Sequence, residues 1–155
     1  MRPVLDQVNL VARDVPQMVA FYERLGIGLR SPSPPPWDEH HVSFAAGDAL
    51  DFDVDSTTFA AQWDRGWPTG EGGVVLGFRV ESRDEVDRLF ADLTAAGHVG
   101  QQEPYDAFWG ARYAIVVDPD GNAVGLMSPS DPARRFEGPQ PGSGGHASGA
   151  PTPAS

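Results

Sequence analysis

The chain has 155 residues, 40% of them hydrophobic, enough for one domain with a real core. A formal net charge of −11 offers no basic footprint to nucleic acid or an anionic membrane surface, and the absence of cysteine removes disulfides, thiolate metal sites and a cysteine nucleophile. No apolar run reaches membrane-spanning length, and Asp6, Gln7, Asn9, Arg13 and Asp14 interrupt the N-terminus, so a cytoplasmic domain is expected.

Residues 4–12 alternate as a strand, with Gln7, Asn9 and Val11 on one face. Asp14 then stands where a helix N-cap belongs, Pro16 fits the first turn, and Met18, Phe21, Tyr22 and Leu25 form one apolar stripe. The run Ser31 to Pro36 predicts a stiff loop. His41 to Phe44 and Ala49 to Val54 predict a hairpin, and residues 56–73 a long connecting loop. Val75 to Val80 predicts another strand, and Ser82-Arg83-Asp84-Glu85 is a capping box. A second stripe follows at Val86, Leu89, Phe90 and Leu93. Asp118-Pro119-Asp120-Gly121-Asn122 between two apolar runs is a hairpin turn, because Asp and Asn bond their own main chain and Gly accepts positive φ.

The second half repeats the first. Gln7 falls on Val75 and Met18 on Val86 at one offset of 68 (75−7, 86−18), and Asp51 falls on Gly125 at 74 (125−51). Each half therefore reads as βαβββ, with module 1 over about 4–55, a linker over 56–73 and module 2 over about 74–128. Residues 129–155, rich in Pro, Gly, Ser and Ala, predict a disordered tail, from about 131 onward without periodicity and with Phe136 its one candidate anchor.

The duplicated unit, with Asp14-Val15 leading into Phe21-Tyr22-Glu23-Arg24-Leu25-Gly26, Trp109-Gly110-Ala111-Arg112-Tyr113 and the closing Asp118 to Asn122, resembles the vicinal-oxygen-chelate superfamily. That group includes glyoxalases, extradiol dioxygenases and bleomycin-resistance proteins. The resemblance implies an α+β fold in which two βαβββ modules form a half-open eight-stranded barrel around a cleft. It also implies a metal-ligand set on the inner face, at positions that fall here on Gln7, Asp51, Val75 and Gly125. Metalloenzymes of the group usually carry His at the first and third of these and Glu at the last. Val75 and Gly125 have no donor side chain and Gln7 is a weak neutral one, so the expectation is no metal and no cofactor.

Asp51, Asp53 and Asp55 alternate with apolar residues, which puts three carboxylates on one strand face; Asp51 is the candidate general base. Arg79 shares a face with Val75 and is expected to pair with Asp51 or Asp53 across the cleft. Trp37, Trp63, Tyr105, Phe108 and Trp109 lie in loops or at strand junctions, where rings can line a pocket. His40 and His41 point to opposite strand faces and cannot readily chelate one ion together.

The expected function is binding of a small, mainly aromatic or apolar molecule, as a bleomycin-resistance protein sequesters its antibiotic. Gln7, Asn9, His41, Asp51 and Arg79 would give the polar contacts, and the five aromatic residues the stacking surface. A homodimer is expected, without nucleic acid or membrane partners. The alternative is a glyoxalase- or dioxygenase-type enzyme using a divalent metal such as Zn, Mn, Ni or Fe, on an unusual set such as His41, Asp51 and Asp53. A third reading gives metal-independent acid/base catalysis to Asp51 with Arg79.

Overall fold

A computed structural model describes residues 2–47 and 49–140. Module 1 consists of β1 (Val4–Ala12), α1 (Val15–Arg24), β2 (Leu29–Pro32), β3 (His41–Phe44) and β4 (Asp51–Ser56). After α2 (Thr57–Trp63), module 2 follows as β5 (Gly73–Arg79), α3 (Arg83–Ala95), β6 (Val99–Asp106), β7 (Arg112–Val117) and β8 (Ala123–Met127). The βαβββ repeat is thus the architecture. All eight strands join one sheet in the order β2-β3-β4-β1-β5-β8-β7-β6. Antiparallel pairing of β1 with β5 fuses the modules, so the cleft forms within one chain.

Local chemistry accounts for most elements. The Asp14 side chain accepts the Gln17 N–H and Ser82 that of Glu85, supplying the N-caps of α1 and α3. In the β7–β8 turn, Asp118 accepts the N–H groups of Asp120 and Asn122, and Gly121 takes φ +93°. Helix α3 lays Val86, Leu89, Phe90 and Leu93 on the outer face of module 2, against Ala114 and Leu126. On module 1, α1 packs through Val15, Met18, Val19 and Tyr22 against Phe44 and Val54.

The structure departs from the sequence reading in four places. Phe21 and Leu25 of the first stripe are exposed, at 62% and 65%, because the packed edge of α1 passes through Val15 and Val19 instead. Residues 29–32 form an edge strand, where a sheet tolerates proline. The linker contains α2, capped by Ser56, whose Phe59, Ala60 and Trp63 are buried against the inner face of the sheet. Residues 129–140, expected to start the tail, are placed: Pro132–Arg134 make a 3₁₀ turn capped by Asp131, and the chain continues across the cleft. The rest of the tail, 141–155, lies outside the described residues.

Candidate functional site

Side chains alternate along strands, so inward positions recur every second residue. On module 1 these are Gln7 and Asn9 of β1, Asp51, Asp53 and Asp55 of β4, and His41 of β3. All six line a cavity of about 600 Å³. The register sets their partners: β1 and β4 run parallel with Gln7 opposite Asp51 and Asn9 opposite Asp53, while His41 faces Asp55 across β3–β4. The two carboxamides reach diagonally, Gln7 Nε2 donating to Asp53 at 2.7 Å and Asn9 Nδ2 to Asp55 at 3.0 Å.

Asp55 is only 1% exposed and also holds His41 Nδ1 at 2.5 Å. Burial opposes the imidazolium, but the hydrogen bond and charge of Asp55, with the charge of Asp53, prevail and raise the His41 pKa. With Nδ1 engaged, the second ring nitrogen is the one left to meet a ligand, an arrangement suited to moving a proton. Burial pushes the Asp53 carboxyl up, against the bonds from Ser43 and Gln7 and the charge of His41. Asp51, nearer solvent, is paired with Arg30 at 2.7 Å.

The opposite wall is aromatic. Phe59 and Trp63 of α2, Trp37 of the proline loop, Phe108 and Trp109 of the β6–β7 turn, and Tyr113 of β7 face the same cavity. The rings of Trp37 and Phe59 lie 4.7 Å apart, and those of Trp109 and Tyr113 5.5 Å apart in an edge-on arrangement. Burial drives the Tyr113 phenol far above its usual pKa, so it stays neutral.

The C-terminal segment borders the mouth. The Asp131 N–H donates to the Gly110 carbonyl at 3.1 Å, the Phe136 N–H to the Phe108 carbonyl at 3.1 Å, and Trp37 Nε1 to the Pro139 carbonyl at 2.9 Å. Arg135, Glu137, Gly138 and Gln140 thereby join the lining. At Phe136 the attachment shown is made by the backbone N–H.

Eight of the ten residues singled out from the sequence line the cavity: Gln7, Asn9, Trp37, His41, Asp51, Trp63, Phe108 and Trp109. Two do not. Tyr105 is buried behind the wall, its hydroxyl donating to the Trp63 carbonyl at 3.0 Å. Arg79 sits at the end of β5 opposite Val4, half exposed and paired with Asp6 at 3.3 Å, so the expected bridge to Asp51 or Asp53 is not formed. The alternation of β4 already pointed to Asp53 and Asp55. Tyr113 was readable from its place two residues before Ile115 in a strand, whereas the lining from 135–140 carried no sequence signal.

The sequence profile of the glyoxalase/bleomycin resistance protein/dioxygenase superfamily matches residues 4–126. The chain belongs to this superfamily. No curated protein matches the chain by sequence. Solved structures with the same fold include a protein described as NAD-dependent benzaldehyde dehydrogenase from Legionella pneumophila. It is 18% identical, with 79% of this chain and 96% of that one covered and a TM-score of 0.59. The Mn(II)-bound glyoxalase from Novosphingobium aromaticivorans is 20% identical over 83% of this chain and 40% of that one, with a TM-score of 0.56. Methylmalonyl-CoA epimerase from Mycobacterium tuberculosis is 19% identical over 82% and 88%, with a TM-score of 0.52. At these identities the likeness is one of fold.

Superfamily metal ligands would come from the inner faces of both modules, and the module 2 positions of this chain offer no donor. Strand pairing sets Gly77 opposite Gly125 as Gln7 stands opposite Asp51, while Val75 pairs with Ala123. The repeat is therefore shifted by two residues from the offset read in the sequence, yet none of Val75, Gly77, Ala123 and Gly125 carries a donor in either register. A Cβ built on Gly125 would lie 2.7 Å from the Tyr113 hydroxyl, so the phenol fills the space that a longer side chain would need. The substitute set is engaged elsewhere: His41 with Asp55, Asp51 with Arg30, Asp53 with Gln7.

Proposed function

We propose that this superfamily member binds a small organic molecule with an aromatic or apolar body in its cleft, without a metal, and retains it as a sequestering protein does. The supporting observation is the cavity of about 600 Å³, walled by rings on one side, hydrogen-bonding on the other, and bordered by the 131–140 segment. Three of the four tryptophans line it, so ligand entry should change their emission. Titrating intrinsic fluorescence with a panel of aromatic natural products tests the reading, and silence towards every member counts against it. Elemental analysis after incubation with Zn²⁺, Mn²⁺, Ni²⁺ or Fe²⁺ tests the metal-free part, one tightly held ion per chain being the adverse result. Because both walls come from one chain, a homodimer would add to the cleft and not create it; sedimentation equilibrium checks for one. Among the described residues no helix is long and apolar enough to cross a membrane.

The His41–Asp55 pair favours a second reading, metal-independent proton transfer. It replaces the acid/base role considered for Asp51 with Arg79, since Arg79 does not line the cavity. Turnover of a bound molecule that survives chelator and disappears in His41→Gln would support it.

A further inference from the structure

This inference rests on the binding function proposed above and narrows its ligand. The three inner carboxylates of β4 are not equivalent. Asp51 has the Arg30 guanidinium at 2.7 Å, and Asp55 has the His41 ring at 2.5 Å. Asp53, only 5% exposed, hydrogen-bonds to neutral groups, the amide of Gln7 and the hydroxyl of Ser43, and feels His41 only through its charge. Among the described residues no cation is ion-paired with it. A buried carboxylate without a counter-ion is costly, and a cation brought by a ligand would offset that cost.

The hydrogen-bonding inventory agrees. Gln7 and Asn9 each donate an N–H to Asp53 and Asp55, so the strand wall is built around carboxylate acceptors. Across the cavity the imbalance reverses. Among the described residues, the indole nitrogen of Trp63, a residue 4% exposed, is buried without a hydrogen-bond partner, as is that of Trp109. An indole N–H can only donate. Apart from His41, the strand wall is richer in acceptors, and the ring wall holds two donors without acceptors.

We propose that the cleft selects a planar aromatic molecule carrying a basic, donor-rich group, such as an amidine or amine, that seats on Asp53, with a hydrogen-bond acceptor at its far end for the Trp63 indole. The charge complements Asp53, the ring stacks among Trp37, Phe59 and Phe108, and the acceptor satisfies Trp63. Anionic analogues are repelled by the same wall.

The test is calorimetric titration of the full chain at about pH 8, where carboxylates and amidines are charged. The probes are three molecules of one shape: a hydroxynaphthamidine, the hydroxynaphthamide and the hydroxynaphthoate, each with the hydroxyl on the far ring. The expected order of affinity is amidine, amide, carboxylate, with the amidine ahead of the amide by about tenfold, the size of one charge-assisted hydrogen bond. Asp53→Asn, which keeps shape and hydrogen bonding, should erase that lead. Trp63→Phe should weaken all three probes by a similar factor and leave their order intact. Equal affinity for the three probes, or preference for the carboxylate, overturns the inference while leaving aromatic binding in place. A lead that survives Asp53→Asn overturns the assignment to Asp53, and an unchanged affinity in Trp63→Phe overturns the acceptor half. Failure of all three probes to bind would overturn both this inference and the binding function. The wild-type order is informative whether or not either variant folds.

Discussion

The two modules share a topology and differ on their inner faces. In module 1 the inward positions of β1, β3 and β4 hold two carboxamides, three carboxylates and a histidine, knitted together by short hydrogen bonds. In module 2 the corresponding strands present Val75, Gly77, Ile115, Ala123 and Gly125, with Tyr113 as their one hydroxyl. The outer faces are alike, each covered by one amphipathic helix. The outer pattern therefore keeps the fold, and the inner positions are free to diverge into a polar wall and an apolar one.

That contrast predicts how little polarity module 2 tolerates. Ile115 is fully buried on β7 between Gly125 of β8 and Gln102 of β6, whose amide already donates to the Glu103 carbonyl. Ile115→Asp should cost more than about 4 kcal/mol and leave little folded protein, as read by urea denaturation. A smaller break comes from copying the superfamily's carboxylate onto β8. Gly125→Glu must displace a phenol packed among Trp63, Trp109 and Tyr105, at a cost of about 1–3 kcal/mol for overpacking. Tyr113→Phe removes the closest atom, so the double variant should recover part of that loss; strict additivity in thermal denaturation would contradict the clash.

The mouth joins the two walls, and it is the part composition hides. Stripes, caps and turns made the repeat legible because each depends on neighbours in sequence. Helix α2 escaped because seven residues give too little periodicity, although Ser56 supplies its cap. The 131–140 segment escaped because its attachment uses backbone groups and the Trp37 indole, which composition does not report. Arg79 was misplaced because alternation gives the face of a strand but not depth along it. Trp37→Phe, which keeps an aromatic ring but deletes the N–H with part of the indole, should cost about 1–2 kcal/mol. It should nonetheless speed amide hydrogen exchange at Phe136, whose N–H donates to the Phe108 carbonyl, more than in the strands, and equal protection there would show that the indole does not hold the segment.

The smallest effect tests the polar wall itself, through pH. Asp53 has a folded-state pKa raised by burial, so between the ordinary carboxylate value and that raised value the folded state binds the proton more tightly than the unfolded one. Stability from this group is full below the ordinary value and is lost as pH rises through the raised one. His41 is also raised, by Asp55 and Asp53 against the opposing burial, so its contribution is full below about pH 6.5 and is lost as pH climbs past its own folded value. Both slopes have the same sign: the wild-type protein should lose stability from mildly acidic to mildly alkaline pH. Asp53→Asn removes the buried charge while leaving an acceptor for Gln7, so it should flatten the Asp53 part of the slope and stabilise the empty protein at alkaline pH by about 1 kcal/mol. A thermal-denaturation series that showed Asn less stable than Asp at every pH would mean that the Gln7 bond outweighs the buried charge, and that this wall does not need a ligand's cation to settle it.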